Sequence, residues 1–247
     1  MSRFTLLALA ASAVLFLTDP AASQGQHFPL ESADGLELQN VTAEPATLQG
    51  KKGLQITVSE EALRRLKENA PEAGPATAQL ARIEGVEFSN GTIEAEIAGA
   101  PAPGAAEGAR GFVGIGFRLQ DDNRTYDEFY LRPTNGRAED QERRNHSVQY
   151  VQHPDWPWVR LRKETPSKYE TYVDLVPGQW TKVKIEVSGE RARLYVHDSE
   201  QPTLIVNDVK SGANAKGGIA LCIGPGTVAH FRNLTVTGHV GDTASSR

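Results

Sequence analysis

The 247-residue sequence predicts an all-β fold: an antiparallel β-sandwich or barrel with one short helix. Three observations carry that prediction. Apolar residues alternate with polar ones through most of the chain, the period of a strand with one buried face. Gly, Pro, Asn and Asp interrupt these runs at intervals of roughly ten residues. Only one stretch carries the start signals of a helix.

Taken in order, the first alternating run is 54–58. Ser59 follows as an N-cap, with Glu60 and Glu61 in the first turn and Leu63 and Leu66 on one face. Arg64, Arg65 and Lys67 come later, as the helix dipole favours. Strands are expected at 79–84, 92–97, 112–119, 128–132, 147–152 and 169–175. The clearest is 181–187, with Thr181, Val183, Ile185 and Val187 on one face and Lys182, Lys184 and Glu186 on the other. A turn at Ser188-Gly189-Glu190 leads into Ala192, Leu194 and Val196, which alternate with Arg191, Arg193, Tyr195 and His197. That pair reads as an antiparallel hairpin. Runs at 204–206, 218–223 and 230–236 complete the set. Two loops are rich in Pro, Ala and Gly, 70–77 and 98–111, and the second is expected to be a mobile surface excursion. The strands read as one sandwich domain over 24–237, and residues 238–247 as a disordered polar tail.

Composition narrows the function. The fractions are those of a globular chain, 39% hydrophobic and 23% charged. A net charge of -5 gives no concentrated positive field, which argues against a nucleic-acid partner. The single cysteine, Cys222, excludes an internal disulfide, and its apolar surroundings read as strand core. At the N-terminus, Arg3 precedes an uncharged run over 4–17, and Ala21-Ala22-Ser23 offers small residues for cleavage. This reads as a signal peptide spanning 1–23, whose apolar run over 4–17 is too short to cross a bilayer as a helix. The mature chain is then expected in the periplasm or outside the cell, with no membrane span. Nothing in the sequence sets an oligomeric state.

Several strands match a known pattern. Gly178-Gln179-Trp180-Thr181-Lys182-Val183-Lys184-Ile185 resembles the G-x-W-x-x-hydrophobic-x-hydrophobic strand of the concanavalin-A-like, laminin-G-like jelly-roll superfamily. The segment 191–197 (RARLYVH) resembles its next strand. Gly217-Gly218-Ile219-Ala220-Leu221 and Phe231-Arg232-Asn233-Leu234-Thr235-Val236 resemble its closing pair. Within that superfamily the chain is most similar to exported bacterial domains of the 3-keto-disaccharide hydrolase type. The resemblance implies a jelly-roll sandwich over roughly 35–237 and a sugar ligand, and it carries no catalytic residues. The Glu-x-Asp-x-x-Glu strand of the better-known glycanases is absent, the nearest stretch being Glu94-Ala95-Glu96.

Segment 124–172 stands apart. It holds eight of the seventeen aromatic residues and nine of the 26 basic ones, balanced by eight acids. Aromatic rings offer flat apolar faces that suit the C–H face of a sugar. Planar amides, guanidinium groups and imidazoles suit its hydroxyl fringe. The expected carbohydrate-binding residues are Arg132, Asn135, Arg137, Arg144, Asn145, Gln149, Tyr150, His153, Trp156, Trp158, Arg160 and Lys163. Pro154 and Pro157 would stiffen a loop bearing both tryptophans. If the site cleaves a glycosidic bond or an oxidised sugar, His146, Asp140 and Glu170 are the expected catalytic groups. The same surface could instead bind a protein partner, or its charges could simply pair with one another on the surface. No cofactor motif occurs, and the histidine spacing fits no zinc pattern. Asp121, Asp122, Asn123 and Asp127 could ligate calcium or form an ordinary Asp/Asn turn.

Overall fold

The computed structural model describes residues 25–68 and 78–238. The expected signal peptide, the loop at 70–77 and all but the first residue of the expected tail lie outside those residues. The chain forms β1 (Gln26–Phe28), β2 (Leu36–Gln39), β3 (Val41–Leu48), β4 (Lys51–Val58), α1 (Glu60–Glu68), β5 (Leu80–Ile83), β6 (Gly91–Pro101) and β7 (Val113–Leu119). It continues with β8 (Tyr126–Leu131), a 3-10 turn (Pro133–Asn135), α2 (Gln141–Asn145), β9 (Val148–His153), α3 (Trp158–Glu164) and β10 (Glu170–Thr171). The C-terminal part supplies β11 (Thr181–Ser188), β12 (Arg191–Val196), β13 (Leu204–Val206), β14 (Gly218–Ile223) and β15 (Thr227–Gly238).

Every strand pair is antiparallel. One sheet runs β13-β12-β11-β6-β15-β4-β3, with β1 also on β15, and the other runs β10-β9-β8-β7-β14-β5-β2. Two alternating faces explain how they meet. Ile93, Ile97, Val183, Ile185, Leu194 and Phe231 of the first sheet pack against Ile115, Phe117, Phe129, Tyr150, Ile219 and Leu221 of the second. Burial of this apolar area is the main stabilising term. The 181–187 pattern is realised strand for strand: Val183 pairs with Val196 and Ala95, and Ile185 with Leu194 and Ile93. Gly189, at φ 59°, takes the left-handed turn of the hairpin.

The structure corrects four expectations. Three α-helices stand among the described residues, where one was predicted. α1 forms as expected, with Ala62 N–H donating to Ser59 Oγ at 3.2 Å, but it buries Ala62 while Leu63 stays exposed. α2 buries none of its residues and α3 only Leu161, so neither has the apolar stripe that marks a helix in sequence. The run 169–175 pairs only through Glu170 and Thr171. The expected loop at 98–111 begins as strand, since β6 stays paired with β15 as far as Pro101. Finally, β1, β2 and β3 were missed because they lie at or near sheet edges and are largely exposed.

Alternation also gives the second sheet an outer face. Gly114 and Gly116 leave its centre shallow: a Cβ at 114 would lie 2.6 Å from Glu128 Oε1, and one at 116 would lie 3.0 Å from Tyr126 Cδ2. Glu128 and Tyr126 therefore fold across the sheet over these glycines. Cys222 is buried on the same face beside Tyr126, and burial pushes its thiol well up.

Candidate functional site

Segment 124–172 builds one border of the second sheet. β8, β9 and β10 supply the strands, the 3-10 turn and α2 link β8 to β9, and α3 links β9 to β10. Much of its aromatic density is core. Phe129, Tyr150 and Tyr169 form a chain of rings with centroids 5.4 and 5.7 Å apart.

Several expected ligand contacts turn out to be framework. Tyr150 is 0% exposed. Its hydroxyl donates to Asp127 Oδ1 at 2.5 Å and accepts from Lys210 N–H at 2.7 Å. Gln149 is buried and donates to the carbonyls of Tyr150 and Tyr169. Asn135 is buried and donates to the His146 carbonyl. Asp140 caps α2, accepting from Arg143 N–H at 3.1 Å, so this expected catalytic acid does not line the groove described below. Trp156 is half-buried against the core, with Arg160 and Lys210 standing 3.6 and 4.6 Å from its ring centroid. Arg160 also pairs with Glu164. The stiffened loop ends early, because Trp158 already opens α3. Arg137 pairs with Asp174, and Lys163 is exposed on α3 away from the groove. His153 sits on the outer face, 3.1 Å from Glu128 and with its ring 4.6 Å from that of Tyr126.

The carboxylates that a calcium loop would use do not converge. Asp121 pairs with Arg82, Asp122 accepts from Arg124 N–H and Thr125 N–H within its own turn, and Asp127 turns inward to Tyr150. Among the described residues no cluster of His, Cys, Asp or Glu is arranged to hold a metal.

What does converge is a groove of ≈ 480 Å³ between α2, the end of α3 and β10. Glu142, Asn145, His146, Arg162, Glu170 and Tyr172 line it. Strand β10 places Glu170 beside Gln149 of β9. Its carboxylate is buried and accepts from Arg162 at 3.0 and 2.7 Å, a two-pronged grip that fixes both oxygens. His146 Nδ1 lies 2.9 Å from Glu170 Oε2, without hydrogen-bond alignment, and Nε2 lies 3.9 Å from Glu142. Burial lowers the His146 pKa, and Arg162 and Arg132 reinforce it against the opposing pull of Glu170 and Glu142. The neutral form of the ring, in which one nitrogen can accept a proton, is thereby favoured.

Two aromatic rings stay open beside these groups. Trp158 is 43% exposed and Tyr172 40%, the exposed large aromatics among the described residues. Arg162 lies 4.7 Å from the Trp158 ring centroid and Arg132 lies 6.0 Å from it. Arg144 lies 4.9 Å from the Tyr172 ring and donates to its hydroxyl. Of the expected residues, His146, Glu170 and Asn145 line the groove, Arg144 and Trp158 border it through Tyr172 and Arg162, and Arg132 is buried behind it, holding the His146 carbonyl. Arg162 and Tyr172 were missed. Arg162 was only counted among the nine basic residues of the segment, and Tyr172 fell in the run expected as a strand, which pairs only through Glu170 and Thr171.

No family model matches the sequence, and no curated protein matches it either. Solved structures do resemble it. The carbohydrate binding module CBM66 from Bacillus subtilis shares 14% identity at a TM-score of 0.50, covering 81% of this chain and 98% of that one. A protein of unknown function with a galectin-like fold, also from Bacillus subtilis, shares 11% identity at a TM-score of 0.52, covering 86% and 94%. At these identities the likeness is one of fold, and the fold is the concanavalin-A-like jelly roll expected from 178–236.

Proposed function

We propose that this concanavalin-A-like sandwich recognises a carbohydrate in the groove between α2, α3 and β10. One observation carries the reading: the half-exposed ring of Tyr172 lines the groove with planar polar groups on Arg162, Asn145, His146 and Glu170, and the half-exposed ring of Trp158 lies just outside it, 4.7 Å from Arg162. The rings offer apolar faces for sugar C–H groups, and the polar set offers donors and acceptors for hydroxyls. The polar set is held by internal contacts, so little ordering cost falls on binding. A carbohydrate binding module with the same fold is consistent with this role, although fold alone does not set function. The leader-like sequence at 1–23 supports action in the periplasm or outside the cell, and among the described residues no helix is long and apolar enough to cross a membrane.

A second reading, cleavage of a glycosidic or keto-sugar bond, is favoured by the neutral His146 beside the clamped Glu170. The imidazole would carry the proton while Glu170 holds a hydroxyl.

The test is calorimetric titration with a panel of oligosaccharides. Trp158→Ala and Tyr172→Ala should each weaken binding about tenfold, ~1.4 kcal/mol, with melting temperature held. Unchanged affinity in both variants would sink the site. Turnover of any sugar that is lost in His146→Ala, with binding kept, would decide for the second reading.

A further inference from the structure

We infer that the ligand of this groove is an acidic glycan, and that Arg110, Arg132 and Arg143 form the subsite for its carboxylate or sulfate group. The inference rests on the carbohydrate reading above and specifies the class of sugar.

Three chain segments meet at the 3-10 turn. Arg110 comes from the loop before β7, and its carbonyl accepts from Thr134 N–H at 3.3 Å. Arg132 leads into the turn from β8, and Arg143 lies in α2 just beyond it. Arg137, Arg160 and Arg162, nearby in sequence, each pair with a carboxylate, and among the described residues these three do not. Arg132 is buried and gives its hydrogens to neutral acceptors: the His146 carbonyl at 2.9 Å, Tyr130 Oη at 2.8 Å and Gln149 Oε1 at 3.3 Å. Arg110 donates to the carbonyls of Glu107 and Ala109. The Arg143 side chain makes no hydrogen bond or ion pair among the described residues, and its Nε is buried without a partner. Thr134 Oγ1, in the turn itself, is likewise buried and unpartnered.

The three charges feel one another. After burial, the charges of Arg143 and Arg132 depress the Arg110 pKa, with Glu107 the acid that partly opposes them. Guanidinium groups that repel each other, one buried and none paired with a carboxylate among the described residues, are costly, and a bound oxyanion turns that repulsion into attraction. Carboxylate and sulfate both fit the fork geometry of arginine. The subsite also joins the groove: Arg132 holds the backbone of His146 and lies 6.0 Å from the Trp158 ring, so an acid group bound there brings its sugar ring beside Trp158.

The full chain should be titrated with an oligogalacturonate, its uncharged methyl ester, a sulfated oligogalactan and a single-stranded oligonucleotide. The free acid or the sulfated sugar should bind at least tenfold tighter than the ester at low salt, and the advantage should shrink as salt rises. Arg143→Gln should bring the acidic sugar down to the affinity of the ester, and the melting temperature of that variant checks its fold. Preference for carboxylate or for sulfate identifies the group, and either supports the inference. Equal binding of acid and ester by the wild type overturns it and leaves the carbohydrate reading standing. An oligonucleotide that binds as tightly as the acidic sugar also overturns it. Failure of every sugar, charged or neutral, overturns both.

Discussion

Tyr150→Phe separates framework from binding surface more sharply than any other change. The ring remains, so no cavity forms, but the hydroxyl that joins Asp127 to the loop at 208–212 is lost. Two buried partners are left unsatisfied: an oxygen of Asp127 and the N–H of Lys210. Each such loss costs ~1–3 kcal/mol, and the bond to a carboxylate lies at the upper end, so about 3–4 kcal/mol is expected in all. For a chain of this size that lowers the melting temperature by about 6–12 °C. The effect should depend on pH. Burial raises the Asp127 pKa above its ordinary 3.8, against the pull of Ser211, Tyr150 and Arg118. A raised carboxyl pKa means that stability falls as pH rises from 3.8 through the folded-state value. Removing the hydroxyl removes a donor to the charged form and raises that pKa further, so the loss should be larger at pH 8 than at pH 4. Scanning calorimetry at both pH values reads the effect, alongside glycan titration. A melting temperature within 2 °C of wild type at pH 8 would refute the reasoning, as would weaker glycan binding in a variant of unchanged stability.

Two further outcomes follow from the same reading of contacts. Asp208 accepts from Lys168, Tyr169 and Lys210, which together hold its pKa down at about 2 despite burial. That stability is present above the ordinary value of 3.8 and lost as pH falls toward 2. With the side chain 37% exposed, solvent screening reduces the gain to about 1 kcal/mol. Asp208→Asn should therefore lower stability at pH 7 and make no difference near pH 2 in acid denaturation. Trp156→Ala should cost about 2–3 kcal/mol and 5–10 °C of melting temperature, because the half-buried ring packs on the core under Arg160 and Lys210. A Trp156→Ala protein that melts like wild type would show the ring to be free.

The fold was readable wherever a strand had one wet face. Thr181 to Val187 and Ala192 to Val196 alternate because sheet-mates cover one side and water the other. The edge strand β3 has four exposed residues, Pro45 among them, so its sequence has no such rhythm. β7, β8 and β14 are buried on both faces, which is why 112–119 and 218–223 read simply as apolar runs. The site was legible as a place more than as a set of side chains. Composition pointed to 124–172, yet Tyr150 and Trp158 look alike in sequence, and only packing shows that one is sealed and the other open. Asp140 shows the same limit: a carboxylate three residues before a backbone N–H becomes a cap, and nothing in its identity distinguishes that use from acid catalysis.

Arg118 has a bearing on how such a molecule can change. It is fully buried near the C-terminal end of β7 at φ 56°, and it donates to the carbonyls of Ser89, Gly189 and Gly212 and to Ser211 Oγ. Three separate connections are thus knotted to one side chain. Lengthening any of them by a residue would strand a buried guanidinium hydrogen, so their lengths cannot drift independently. The connections at the opposite end of β7 and β8, which carry Arg110 and the 3-10 turn, touch through Thr134 N–H and the Arg110 carbonyl, but among the described residues no single side chain ties several connections together there. Insertions and new specificities have room to accumulate there, while the knotted rim holds the sandwich constant.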